Sequence, residues 1–552
     1  MDTVSLTLLF LLAVVLSDLL ARALASILPF TLPTPLIQVA FGAVMGLFPA
    51  LVVTLQPEVF FLLLLAPLLF LDGWRMPAEE LLQDKGIVVQ LALGLVVFTV
   101  LGVGLFLHAL VPAVPLPVAF ALAAVLSPTD PIAVSAIARR VPMPPRMMQI
   151  LEGESLLNDA SGLVCFKLAV AAMLTGNFSL PAAVLDFAWL ASAGVATGVG
   201  LTLLLTGLKN VAARLLGEDS GAQILISLLI PFGCYLLAER VGGSGVLAAV
   251  AGGLTMAVLE NSGKASASTR IRRSTFWDLL GFAANGAVFV LLGEQLHGIV
   301  AEFKLAAPGS GMDSAGRLAL QVVAITAALV VLRFAWVAVS LRLRTFKRSG
   351  ESGAKAEPQT VPWRQISVMS LAGVRGAVSL AGVLGLPLLL PGGAAFPART
   401  LAITLAMGVI TLSLVLASVA LPLLLKGLAP TADDTPALEE VTARLVAARA
   451  AITAIEVLER ARPAGHADAA LYTAAAARLL AQYRQRIDSR SGSAEAVVQA
   501  QREEGIEREL RLAGLRAERS TLFQELRARR LGSRTTRRLV RELDLMEARQ
   551  LT

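Results

Sequence analysis

Long apolar stretches separated by short polar connections fill the first 428 residues, and thirteen of them approach or exceed the ~20 residues that one helix needs to cross a bilayer core. They cover residues 3–28, 34–53, 57–74, 86–111, 116–138, 147–175, 181–207, 221–240, 243–260, 274–297, 317–343, 364–390 and 399–426. The connections are short and marked by proline or glycine, as at Leu32-Pro33-Thr34-Pro35 and Pro142-Met143-Pro144-Pro145. The first stretch lacks a basic leading region and is longer than the apolar part of a signal peptide, so it reads as a membrane span. After residue 428 the pattern changes. Leu438–Ala461 and Ala494–Arg530 carry apolar residues at helical spacing among mixed charges, which predicts soluble amphipathic helices. The expected architecture is an all-α polytopic membrane domain over 1–428 and a helical cytoplasmic domain over 429–552.

Composition sharpens this division. Of the 87 Lys, Arg, Asp and Glu residues, 39 lie in the last 124, which are therefore about 31% charged, against about 11% for the rest. A chain that is 56% apolar is neither disordered nor an ordinary soluble enzyme. The net charge of +7 follows from basic residues flanking apolar segments, so no nucleic-acid partner is implied. With the N-terminus outside, the inner loops hold 17 Lys and Arg and the outer loops hold 4. That bias supports thirteen crossings and a cytoplasmic C-terminus. Cys165 and Cys234 lie inside apolar runs without CxxC spacing and suggest neither a disulfide framework nor a zinc site.

Ionisable groups at mid-membrane are costly and mark function by default. Glu239, Glu260 and Asp278 fall at segment ends, as do His108 and His297, and Asp18 and Arg22 sit four apart, where they can pair. Asp130, Asp159, Arg333 and Arg375 fall near the middle of the fifth, sixth, eleventh and twelfth segments. Lys167 lies about 12 Å beyond Asp159 along the sixth, where a snorkelling side chain is expected.

The local sequences say what these charges are for. Leu126-Ser127-Pro128-Thr129-Asp130-Pro131 places prolines on either side of Asp130, which breaks the helix and frees backbone carbonyls. Such carbonyls are tolerated at this depth only against protein or a water-filled cavity, and with a carboxylate and hydroxyl they suit a small hard cation. In the sixth segment Glu154, Ser155, Asn158 and Asp159 share one sector of about 140° on an otherwise apolar helix. Gly373-Val374-Arg375-Gly376 gives the twelfth segment a second flexible break. The fifth and twelfth segments occupy matching places in two six-helix sets, 1–6 and 8–13, that run in opposite directions about a connecting seventh. Interrupted helices in inverted halves mark the binding site of a secondary transporter.

Together Ser127-Pro128-Thr129-Asp130-Pro131, Glu152-Gly153-Glu154-Ser155 with Asn158-Asp159, and Gly373-Val374-Arg375-Gly376 resemble the NhaP-type sodium/proton antiporters of the monovalent cation:proton antiporter superfamily. The resemblance covers about residues 1–428. It implies a homodimer and a core domain that moves against a dimerisation domain. It implies that Asp159 carries the ion or the proton, and that Thr129 (by its backbone), Asp130, Glu154 and Ser155 line the ion site. Asn158 matches the position that sets the Asn-Asp branch, generally electroneutral, apart from Asp-Asp relatives. Asp72, at the end of the third segment, stands where relatives often carry Glu.

The expected function is antiport of Na⁺ or Li⁺ for H⁺ across a bacterial inner membrane, with no enzymatic activity and no cofactor. Burial disfavours the charged form of a carboxyl, so proton and cation compete for one group. One carboxylate trading one H⁺ for one Na⁺ moves no net charge. Na⁺ is expected at Asp159, Ser155, Glu154 and Thr129. Arg333 and Arg375 need counter-charges, from Glu154 for either or both and from Asp130 for the remainder. A K⁺/H⁺ antiporter on the same scaffold and a cation channel are the alternatives. An intramembrane aspartyl hydrolase would need its two Asp as a dyad, and a signalling receptor would need a tail motif that is missing. The tail is expected to regulate activity or support the dimer, and to offer a place for a cytoplasmic regulator or ligand. Lys347–Pro362, rich in Gly, Ser and Lys, is expected to be a flexible loop.

Overall fold

The computed structural model describes residues 3–27, 34–48, 57–77, 86, 90–138, 143–176, 180–217, 219–260, 267–306, 312–351, 362–391, 393–426, 434–460, 469–491, 494–528 and 530–551. It divides into two compact units, Met1–Pro430 and Thr431–Thr552.

The first unit is helical throughout its described length except for connections and one isolated bridge, Leu389 to Ala395. In chain order the helices are α1 (Thr3–Ile27), α2 (Thr34–Met45), α3 (Pro57–Arg75), α4 (Gln90–Leu110), α5 (Leu116–Leu126), α6 (Pro131–Ala138) and α7 (Pro145–Thr175). They continue as α8 (Leu180–Leu216), α9 (Ser220–Arg240), α10 (Gly245–Glu260), α11 (Ala267–Ala306), α12 (Met312–Glu351), α13 (Trp363–Leu371), α14 (Ala377–Leu384) and α15 (Arg399–Leu425). Both α3 and α4 contain a π-helical turn, at Phe61–Leu65 and Gln90–Gly94. Among the described residues eight helices are long and apolar enough to cross a membrane. Their burial is inverted relative to a water-soluble protein: Leu19, Leu101, Leu185, Leu229 and Leu423 face outward, while Glu154, Asn158, Arg333 and Arg375 are buried. This is a multi-pass membrane fold, because only lipid tolerates such an apolar exterior around polar groups.

Several sequence-based boundaries shift. The fifth and twelfth segments are interrupted, as their Pro and Gly residues predict, and the twelfth ends as helix at Leu384 rather than near residue 390. The expected loop Lys347–Pro362 starts too early, because α12 remains helical to Glu351, while 352–361 lie outside the described residues. Lys347 and Arg348 are good helix formers and a single Gly350 costs only about 1 kcal/mol. Segment 34–53 is helical only to Met45, and its last residues, 49–53, lie outside the described part.

The helices sort into two packed groups. One comprises α1, α2, α3, α8, α9, α10 and α11; the other comprises α4 to α7 and α12 to α15. Glycines hold backbones close within each group: a Cβ on Gly293 of α11 would strike the Val39 carbonyl of α2, and one on Gly162 of α7 would strike Pro128. Between the groups, glycine-mediated contacts of this kind do not occur among the described residues.

The second unit contains α16 (Asp434–Arg460), α17 (Ala469–Ser491), α18 (Ala494–Arg527) and α19 (Ser533–Leu551). Each helix packs against the next in sequence. Arg519 of α18 pairs with Asp544 at 3.4 Å and with Glu547 of α19, beside buried Leu543.

Candidate ion site

Two broken helices meet inside the second group. α5 stops at Leu126, Pro128 and Thr129 carry the chain out of helical geometry, and Pro131 starts α6 at the one helical position that tolerates a missing N–H. α13 stops at Leu371, and 372–376 are non-helical before α14. The breaks cross: the Asp130 N–H donates to the Val374 carbonyl at 2.6 Å. Arg375 Nε donates to the Leu126 carbonyl at 3.0 Å, Nη1 donates to Gly373 O, and its backbone N–H donates to Ser413 Oγ at 3.2 Å. A guanidinium thus sits at the C-terminus of α5, where the helix dipole is negative. Reciprocally, the Asp130 carboxylate lies against Gly376, the residue that opens α14, where the dipole is positive. A Cβ on Gly376 would overlap that carboxylate, so glycine here is a requirement of close approach.

α7 supplies the second layer. Glu154, fully buried, accepts from Arg333 Nη1 at 2.5 Å and Nη2 at 2.8 Å, a bidentate pair. Arg333 Nε donates to the Met369 carbonyl at 3.1 Å. Asn158 Nδ2 donates to Thr129 Oγ1 at 3.0 Å, and Ser155 Oγ donates to the Thr129 carbonyl at 2.6 Å. The polar sector of α7 therefore clamps the break at Thr129. Asp159 is 6% exposed, and among the described residues its carboxylate accepts no hydrogen bond.

A cavity of about 30 Å³ opens beside it, room enough for at least one water molecule. Asp130, Asp159, Thr129, Ser155, Pro128, Gly376, Val378 and Ser379 line it from the second helix group. Leu65, Leu68, Leu69 and Asp72 of α3 and Asn285 of α11 line it from the first. The cavity thus lies on the surface between the groups.

The structure gathers Asp130, Asp159, Thr129 and Ser155 at the cavity, with Asp72 opposite. Glu154 and Asn158 are not among the cavity's lining residues, and both Glu154 oxygens are engaged by Arg333. Arg375 does not share Glu154; carbonyls at the breaks take its donors. Asn285 and Ser379 were not singled out from the sequence, although a lone amide in Ala283-Ala284-Asn285-Gly286-Ala287 is a signal of the same kind as Asp159.

Other charges in the first unit pair away from the cavity. Asp18 and Arg22 pair at 2.8 Å. Lys167 does not simply snorkel: its Nζ donates to Glu239 Oε1 at 3.1 Å and Oε2 at 3.3 Å, joining α7 to α9. Glu260 takes Trp74 Nε1–H and Arg273, and Asp278 pairs with Arg75. His108 Nδ1 bonds the Val114 carbonyl at 2.9 Å, and the His297 side chain lies outside the described part. Cys165 and Cys234 are both free.

A multi-pass helical bundle with two crossed, interrupted helices and buried carboxylates around a small inter-group cavity defines a secondary ion transporter. Comparison with known proteins specifies it. The profile of the family described as sodium/hydrogen exchanger, transmembrane, matches residues 11–427. The chain is 40% identical over 538 residues to the uncharacterized Na⁺/H⁺ exchanger YjcE of Escherichia coli (strain K12), covering 96% of each chain. It is 43% identical over 420 residues to the sodium, potassium, lithium and rubidium/H⁺ antiporter of Bacillus pumilus (strain SAFR-032), covering 75% of this chain and 61% of that protein. The fold matches the sodium proton antiporter MjNhaP1 from Methanocaldococcus jannaschii with a TM-score of 0.58 at 20% identity, covering 77% of this chain and 99% of the other. The chain belongs to the sodium/hydrogen exchanger family, as an NhaP-type monovalent cation:proton antiporter. It is a transporter and not an enzyme, its substrates are the transported ions, and the family requires no cofactor.

Proposed function

We propose that the protein exchanges Na⁺ for H⁺ one for one, by alternating access of Asp159 to the two sides of a bacterial inner membrane. The observation that carries this reading is the Asp159 carboxylate, buried at the cavity wall with no hydrogen bond among the described residues. A buried carboxyl without a partner is stable when it holds a proton or a cation, not when it holds neither. Thr129 O and Ser155 Oγ stand at the same wall and suit Na⁺, with Asp130 and Asp72 adding negative charge nearby. Glu154, Asn158, Arg333 and Arg375 fix the break and balance charge behind it.

One exchanging carboxylate makes the cycle electroneutral. The inter-group position of the cavity supports a mechanism in which the group carrying Asp159 shifts against the group carrying Asp72. Thirteen crossings in two inverted repeats, a homodimer, an outside N-terminus and a cytoplasmic tail that regulates exchange complete the proposal.

A wider cation range is the second reading, because the Bacillus pumilus relative carries potassium, lithium and rubidium in its name. Reconstituted vesicles decide between them. Proton flux driven by Na⁺ and Li⁺ but not K⁺, unchanged by a voltage clamp, supports electroneutral sodium exchange. Equal flux with K⁺ supports the wider range, and flux that follows the clamp contradicts electroneutrality.

A further inference from the structure

Two polar groups at the cavity are used neither by the fold nor by the mechanism above. Ser379, in the first turn of α14, is 1% exposed, and its Oγ has no hydrogen-bond partner among the described residues. Asn285, on α11, lines the same cavity, and its amide makes no hydrogen bond among the described residues. Leaving a hydroxyl or an amide unpaired in an apolar interior costs free energy of the order of a lost hydrogen bond. Ser379 carries that cost in full, while Asn285 is half-buried and turned to the same cavity, so a partner that enters the cavity would serve both.

The lining limits what that partner is. Three carboxylates, the Ser155 and Ser379 hydroxyls and an amide converge on a space with room for a cation and water. Hydroxyl and amide oxygens are neutral hard ligands, suited to an alkali cation or to a water bound to it. Their walls differ: Ser379 belongs to the helix group that carries Asp159, and Asn285 belongs to the opposing group. A cation in this space therefore meets the Asp159 and Asp130 carboxylates and the Ser379 hydroxyl on one wall, and the Asp72 carboxylate and the Asn285 amide on the other.

We propose that Ser379 and Asn285 form the neutral half of the cation site and set which alkali cation the exchanger accepts. The proposal rests on the reading of Asp159 as the carrier. The carboxylates supply charge, which all alkali cations satisfy alike. Discrimination between Li⁺, Na⁺ and K⁺ comes from the number and spacing of coordinating oxygens, and two neutral ligands change that number without changing net charge. Because Asn285 stands on the opposing group, it coordinates only while the two groups hold the present register.

The test uses the full-length protein in proteoliposomes, with proton flux recorded against Li⁺, Na⁺ and K⁺ separately. The variants are Ser379→Ala, Ser379→Thr, Asn285→Ala and Asp159→Asn. Removing one oxygen ligand is expected to raise KM by about five- to tenfold for the preferred cation, and to change the KM ratio among the three cations by at least about threefold. Ser379→Thr, which keeps the hydroxyl, retains the wild-type ratio. Equal KM changes for all three cations, or KM values within twofold of wild type in both alanine variants, overturn the proposal. Asp159→Asn separates the two readings. If it is silent while the alanine variants keep wild-type selectivity, only the neutral-ligand proposal fails; if it exchanges normally, the carrier assignment fails.

Discussion

Arg333 holds Glu154 through two parallel hydrogen bonds, 2.5 and 2.8 Å, with both side chains almost wholly buried and 179 residues apart in sequence. Breaking such a pair leaves one uncompensated charge inside the bundle and costs about 3–5 kcal/mol. Glu154→Ala is therefore expected to lower the thermal unfolding temperature in detergent sharply. The double variant Glu154→Ala with Arg333→Met is expected to be destabilised less than the sum of the two single variants.

Asp130 lies against Gly376, and a methyl group there has no room. Gly376→Ala is expected to displace the Asp130 carboxylate from the start of α14 and to slow exchange at least about tenfold, or ~1.4 kcal/mol in the barrier. Gly200→Ala is the control, because a Cβ there meets nothing within 4 Å. Flux measured at matched protein density in vesicles checks both.

Lys167 and Glu239 join the two helix groups through a pair that is 46% and 39% exposed. An exposed pair contributes only about 0–1 kcal/mol to stability, so Lys167→Gln and Glu239→Gln should leave unfolding almost unchanged. Both are expected to alter the exchange rate in the same direction, because each removes the same tie between the groups. The combined variant should add nothing further, and the three rates measured together test this.

The second unit is compact by itself. A protein ending at residue 430 is expected to keep cation-driven proton flux, since the cavity is built from residues 65 to 379. Its pH profile is expected to shift if the tail regulates exchange, and an unchanged profile would remove that role.

Much of this architecture is legible in the chain because membrane solvent makes local sequence decisive. Two prolines around Asp130 and two glycines around Arg375 concentrate helix-breaking residues at single points, so both interruptions could be read directly, whereas the isolated Pro231 and Pro422 leave their helices continuous. The polar sector of α7 followed from helical geometry alone. Pairing was less legible, because partners are chosen by tertiary packing. Glu154 could serve Arg333 or Arg375 until the fold showed Arg375 occupied by the Leu126 and Gly373 carbonyls. Lys167 was expected to snorkel for the same reason, with Glu239 lying 72 residues away on another helix. Ser379 and Asn285 carry no charge, and a single neutral polar residue in an apolar helix attracts little notice until a cavity is found beside it.

The most direct measurement of the central claim is sodium-dependent proton flux by Asp159→Asn in proteoliposomes, alongside its thermal unfolding. Asparagine keeps the shape but holds neither a proton nor a negative charge. The account predicts a folded protein with no exchange at any pH. Exchange at the wild-type rate would contradict it.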